Sequence, residues 1–171
     1  MRITDLRQAP RGLLAQVLAA NAAVAAQTSE LDAGGLAALL EQAACAPAAL
    51  DQADGLAGFL IGMGPGAGYD SPNYRWFCDR YARFAYVDRV VTVPAARGRG
   101  VGRALYAAFA AAMPGEGRIA CEVNLLPPNP ASDAFHAALG FTEVGRASPA
   151  PGKTVRYLLR PLAGLSAVAG H

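Results

Sequence analysis

The sequence predicts a single α/β domain built on a mixed β-sheet. Three observations carry that expectation. The length of 171 residues suits one domain with a core of its own. The candidate elements run β–α–α–β–β–β–α–β–α–β–β, which is not the strict alternation of a doubly wound parallel sheet. A valine-rich strand also runs straight into a glycine-rich turn and a helix across residues 90–105.

The elements follow from local pattern. Residues 3–6 read as a short first strand. Residues 11–26 place Leu13, Leu14, Val17 and Leu18 at helical spacing. Ser29 or Asp32 can cap a second helix reaching Ala44, which Gly34 and Gly35 weaken. Residues 46–50 and 56–63 flank Asp51-Gln-Ala-Asp-Gly55 as a hairpin. Residues 64–79, opened by glycines, read as a loop, and strand propensity returns at residues 84–93. A turn and helix occupy residues 97–113, and a strand follows at 118–124. A helix then spans residues 130–139, with closing strands at 141–145 and 154–160. The whole chain, 1–171, reads as one domain whose last residues, 162–171, form a loosely ordered tail.

Composition excludes several function classes. With 15 basic and 13 acidic residues the net charge is +2, so there is no electrostatic case for a nucleic-acid binder. No apolar run approaches the roughly 18 residues a membrane span needs. Residues 1–5 lack an apolar export core, which makes a cytoplasmic protein the expectation. Cys45, Cys78 and Cys121 form neither a metal-binding pattern nor a disulfide framework, so no metal is expected. A homodimer stays open.

Chemistry concentrates in Val90-Val-Thr-Val-Pro-Ala-Ala-Arg-Gly-Arg-Gly-Val-Gly-Arg-Ala-Leu105. Gly98, Gly100 and Gly102 let successive N–H groups turn toward one point at a helix N-terminus, where an anion is favoured. Arg97, Arg99 and Arg103 crowd the same turn. Cations there oppose the helix dipole by ~0.3–1 kcal/mol each, a penalty that a polyanionic ligand reverses. A mononucleotide P-loop needs a lysine that the turn lacks, and the dinucleotide fingerprint needs a different glycine spacing.

The segment Arg97-Gly-Arg-Gly-Val-Gly102 resembles the (Q/R)-x-x-G-x-(G/A) signature of the GNAT superfamily of N-acetyltransferases. The resemblance continues in Glu122-Val-Asn124 and in residues 129–141, which are similar to the family's N-x-x-A-x-x-(L/F)-Y-x-x-x-G-F element. Ser132 replaces its alanine and His136 replaces its tyrosine. The resemblance implies a GNAT-like mixed sheet with splayed central strands between helices, binding acetyl-coenzyme A (acetyl-CoA) as acyl donor. It places the pyrophosphate on Arg97, Gly98, Arg99, Gly100, Val101, Gly102 and Arg103, and the acetyl-pantetheine arm along the backbone of Val90, Val91 and Thr92. Asn129 is either a plain helix cap or a further cofactor contact.

The implied reaction moves an acetyl group to a primary amine of a small molecule or peptide. An alkyl ammonium with a pKa near ~10.4 must lose a proton first, so a general base is expected. By strand alternation Tyr86, Asp88, Val90 and Thr92 share one face, while Glu122 and Asn124 share a face of the neighbouring strand. Asp88 and Glu122 are the candidate bases, against an ion pair for Asp88 and a solvated position for Glu122. His136, on a helix face set apart from Phe135 and Leu139, is either the acid that protonates the departing thiolate or a packing residue. The absent tyrosine also permits a non-catalytic acyl-CoA sensor on the same fold.

Seven of the 13 aromatic residues fall between positions 69 and 86. Tyr74, Trp76, Phe77 and Tyr86 are candidate acceptor-pocket residues, against a satellite core or a dimer contact.

Overall fold

The computed structural model describes residues 1–162. All but Leu162 of the tail expected at residues 162–171 lies outside the described residues. Seven strands form one sheet: β1 (Arg2–Asp5), β2 (Pro47–Leu50), β3 (Leu56–Met63), β4 (Ala85–Thr92), β5 (Arg118–Leu126), β6 (Thr142–Ala150) and β7 (Lys153–Pro161). Their order is β1-β2-β3-β4-β5-β7-β6, and only β4 and β5 run parallel. Six helices accompany them: α1 (Arg11–Ala22), α2 (Ala25–Thr28), α3 (Ala33–Gln42), α4 (Pro72–Cys78), α5 (Val101–Ala112) and α6 (Pro130–Ala138). None of them is long and apolar enough to cross a membrane.

Both faces of the sheet are covered, so its strands bury side chains in two directions. Leu13 and Val17 of α1, Leu36, Leu39 and Leu40 of α3, and Tyr74 and Phe77 of α4 pack with Phe59, Ile61 and Tyr86 on one face. Leu105, Tyr106 and Phe109 of α5 pack with Leu60, Val87 and Ile119 on the other. Glycine sets how closely α5 approaches. A Cβ on Gly62 would lie 2.3 Å from the Phe109 ring, and one on Gly58 would lie 2.9 Å from Val101.

Two strand irregularities shape the centre of the sheet. β4 and β5 pair only at Ala85 with Ile119 and Tyr86 with Ala120, and then diverge toward their C-terminal ends. The splay expected from the family resemblance is therefore present. The register of β4 against β3 also slips, with Ile61 opposite Arg89 and Gly62 opposite Val87. One extra residue at such a bulge reverses the strand's alternation. Tyr86 and Val91 consequently share one core, while Val90 packs against the other. The expectation that Tyr86, Asp88, Val90 and Thr92 share a face fails for that reason.

Three local expectations change as well. The helix expected at residues 11–26 breaks after Ala22 and resumes as the single turn α2. The glycine pair is accommodated at the start of α3, where Gly35 N–H donates to the Asp32 capping carboxylate at 2.7 Å. The stretch 64–79 is not all loop. Ser71 caps α4 by accepting from Tyr74 N–H, and Pro72 occupies its first turn.

Candidate active site

The open end of the β4–β5 splay leads into the turn before α5. Gly98 and Gly100 have φ of +73° and +77°, a left-handed backbone that favours glycine. No side chain caps α5. None of the N–H groups of residues 98–103 meets an acceptor among the described residues. Arg97, Arg99 and Arg103 are exposed around them, and none forms a salt bridge among the described residues. Val101 is buried against the core, so only its backbone is offered to a ligand. Gly102 serves packing, since a Cβ there would lie 2.8 Å from the Phe135 ring of α6. A row of unbonded donors, a helix N-terminus and three unpaired cations fit a pyrophosphate. Asn129 is the cap of α6, accepting from Ser132 N–H at 3.2 Å.

On the opposite face, carboxylates gather beside the splay. Glu122 Oε2 accepts from the Tyr86 hydroxyl at 2.8 Å, and Oε1 accepts from the Asn73 amide at 3.0 Å. Burial pushes its carboxyl up to about 7, and the nearby Asp88 charge adds to the rise, while those two hydrogen bonds hold it down. Asp88 is engaged otherwise. Its carboxylate accepts from the Tyr69 hydroxyl and pairs with Arg89 at 2.7 Å, both partners being almost wholly buried. Arg89 continues to Asn21 of α1 at 2.9 Å and to Ser29 at 3.3 Å. Of the two candidate bases, Glu122 is the carboxylate without a salt bridge among the described residues, although the Lys153 charge also lowers its pKa.

His136 lies inward and is 3% exposed. Its Nδ1 lies 2.8 Å from the Ser132 carbonyl and its Nε2 lies 2.8 Å from the Tyr106 hydroxyl. A carbonyl can only accept, so Nδ1 carries the proton and Nε2 accepts from Tyr106. Burial lowers its pKa. His136 and Leu139 are both buried, and the His136 ring meets the Tyr106 ring of α5 edge-on with centroids 5.6 Å apart.

The aromatic segment is packed rather than open. Tyr74, Phe77 and Tyr86 are buried, with ring centroids 5.4–5.9 Å apart for the Tyr74–Tyr86 and Phe77–Tyr86 pairs. Trp76 stacks on Tyr157 at 4.2 Å and takes the Arg80 guanidinium at 4.0 Å. The expectation of an aromatic pocket wall gives way to a satellite core, because α4 turns these rings onto the sheet. Of these four candidates, the Tyr86 hydroxyl is the one that bonds Glu122. Sequence reasoning missed Asn73, Tyr157 and Arg89. The Ser71-Pro72 pair was the available signal, since it marks a helix start ahead of Asn73.

Among the described residues no group of three or more His, Cys, Asp or Glu is placed to hold a metal ion. A mixed sheet opened between two parallel strands, with a donor-rich glycine turn at the opening, defines a GNAT-type transferase fold. The chain belongs to the GNAT acetyltransferase family, whose model matches residues 25–141. Similar solved structures include a ribosomal-protein-alanine N-acetyltransferase from Brucella melitensis, 20% identical with a TM-score of 0.67 over 94% of this chain and 99% of that one. A phosphinothricin acetyltransferase from Sinorhizobium meliloti in complex with acetyl-CoA is 17% identical, with a TM-score of 0.67 over 94% and 87%. An aminoglycoside 6'-N-acetyltransferase complexed with coenzyme A is 16% identical, with a TM-score of 0.68 over 95% and 97%. No curated protein sequence matches the chain.

Proposed function

We propose that the protein transfers the acetyl group of acetyl-CoA to a primary amine of a small molecule or peptide, with Glu122 as general base. The observation that carries this reading is the pairing of two features across one splay. A turn with unbonded N–H groups lies at its open end, and a carboxyl with a pKa of about 7 lies beside it. A base with that pKa is about half ionised at neutral pH and still strong enough to draw a proton from an ammonium. Known members of the fold carry acetyl-CoA or coenzyme A, which supports the same donor here.

Acetyl-CoA supplies an activated thioester whose acyl–sulfur bond breaks as the acyl–nitrogen bond forms. The protein's own residues do the rest. The N–H groups of residues 98–103 and the side chains of Arg97, Arg99 and Arg103 hold the pyrophosphate, with Asn129 close by at the start of α6. Beyond Tyr86, where β4 leaves β5, Val90, Val91 and Thr92 stay paired with β3 along one edge only, so the backbone groups that face the splay can bond the pantetheine arm and polarise the thioester oxygen. Glu122 takes the amine proton, directly or through water. A thiol has a reference pKa near ~8.5, so the thiolate can depart without an enzymic acid and take its proton from solvent. His136 then needs no catalytic part. A hollow of about 430 Å³ at the C-terminal end of β5, lined by Leu126, Ser148, Lys153 and Thr154 among others, gives the acceptor room to approach.

The test is a panel of small amines, amino-acid amides and peptide N-termini, read by thiol release from acetyl-CoA. Acceptor-dependent release that Glu122→Gln abolishes is the expected result. Tight coenzyme A binding with no release across the panel would instead favour the sensor.

A further inference from the structure

The insertion between β3 and β4 reaches the carboxylate through one residue. Asn73, near the start of α4, is 8% exposed and spends both ends of its amide internally. Its Nδ2 donates to Glu122 Oε1 at 3.0 Å, and its Oδ1 accepts from the Tyr157 hydroxyl at 2.9 Å. That orientation is enforced. A flipped amide would set its oxygen against the carboxylate, where both atoms accept. Tyr157 on β7 is itself 1% exposed and held by the stack on Trp76. Trp76 in turn sits on Gly145 of β6, where a Cβ would lie 2.5 Å from the indole. A packed line therefore runs from the β6–β7 hairpin through α4 to one oxygen of Glu122.

We propose that Asn73 and Tyr157 are positioning residues that aim the Glu122 carboxylate at the acceptor, and that α4 exists in this chain to deliver Asn73. This inference rests on the reading of Glu122 as the base. Tyr86 fixes the second carboxylate oxygen from β4, so a base held at both oxygens keeps one orientation. The other titratable groups facing Glu122 are Asp88 on β4, with Arg89 beside it, Tyr69 in the insertion, and Lys153 and Tyr157 on β7. Cys121 and Tyr106 approach from the opposite face. Among these partners Asn73 is the neutral donor that favours the ionised base, as Tyr86 also does. Its removal lets burial and Asp88 push the carboxyl higher.

The experiment measures single-turnover rates against pH for the full chain and for Asn73→Ala, Asn73→Asp, Tyr157→Phe and Glu122→Gln, at saturating acetyl-CoA. Asn73→Ala should lower the rate ~10-fold with both KM values within about twofold, and move the acid limb upward by about half a unit or more. Asn73→Asp should move the limb further, since a second carboxylate then faces the first. Tyr157→Phe keeps the ring and its stack, so it folds even where an Asn73 variant does not. It should shift the limb in the same direction by less. An inactive Glu122→Gln beside Asn73 and Tyr157 variants with an unmoved limb overturns the inference and leaves the base reading standing. A Glu122→Gln that keeps the wild-type rate removes the base reading, and the inference falls with it.

Discussion

The two faces of the sheet present the two halves of the proposed site by different means. On the α5–α6 face the proposed ligand-binding atoms are main-chain N–H groups of six consecutive residues, in a turn whose Gly98 and Gly100 have left-handed φ. On the α1–α4 face the groups are side chains drawn from positions 69, 73, 86, 88, 122 and 157, joined by hydrogen bonds. The first half is encoded within one turn, whereas the second exists only when distant segments fold together. Substitutions on the first face should therefore act on donor affinity. Those on the second should act on rate and its pH dependence.

The sharpest break in that contrast is Glu122→Gln. Loss of a general base should lower single-turnover rate by ~10²–10⁴-fold while acetyl-CoA affinity, measured by calorimetry, stays unchanged. A comparable loss of donor affinity would dissolve the division between the faces. The same variant reports on stability. Glu122 has a folded pKa of about 7, raised above its reference of 4.5. Between those values the folded protein retains a proton that the unfolded chain releases, so its stability falls as pH rises through that window. Glutamine carries no such penalty, and the variant's Tm should exceed the wild type's at pH 8 and match it near pH 4.

The complementary variant on the other face is Gly100→Val. Its φ of +77° is strained for any branched side chain, at a cost of about 1–3 kcal/mol. A Cβ there meets no protein atom within 4 Å, so the side chain projects into the space a pyrophosphate needs. Acetyl-CoA affinity should fall at least ~10-fold, with the acid limb of the rate profile unmoved. A folded variant with full affinity would remove the turn from the donor site.

Trp76→Ala should do less to either ligand and more to the fold. The half-buried ring packs on Tyr157, Phe77 and Gly145, so its loss should destabilise the fold by less than the ~3–5 kcal/mol of a fully buried ring, read by chemical denaturation. A selective rise in acceptor KM with unchanged stability would instead restore Trp76 to an acceptor pocket.

What was legible in the sequence follows the same division. The strand, turn and helix around Gly98, Gly100 and Gly102 were readable because their chemistry is backbone chemistry at fixed spacing. Glu122 and Asn124 were placed correctly on one face because β5 alternates regularly there, with Ile119, Cys121 and Val123 opposite. β4 was misread past Tyr86, since the bulge at residues 87–89 leaves no mark in composition. The aromatic segment was left between two readings for a different reason. Its composition fits both a pocket wall and a core, and only the Ser71 cap and the docking of Trp76 on Gly145 decide between them. Asn73 drew no attention because its meaning depends on Glu122 and Tyr157, 49 and 84 positions away.

The smallest expected effect on catalysis belongs to His136, and it tests whether the α5–α6 face contributes anything but binding. The ring is buried, with Nδ1–H donating to the Ser132 carbonyl and Nε2 accepting from Tyr106. His136→Phe fills a similar volume and leaves the buried Tyr106 hydroxyl without its partner, which costs about 1–3 kcal/mol of stability. Single-turnover rates should stay within about threefold of wild type, because the proposed route passes no proton through the ring. The stability gap should also depend on pH. Burial holds the folded pKa of His136 below its reference of 6.5. As pH falls below 6.5 the unfolded chain gains a proton that the folded ring refuses, so wild-type stability declines and its advantage over the phenylalanine variant narrows. A rate loss beyond ~10-fold in a folded His136→Phe, with donor affinity intact, would put the imidazole in the proton path after all. The α5–α6 face would then share the chemistry that Glu122 otherwise carries from the opposite side.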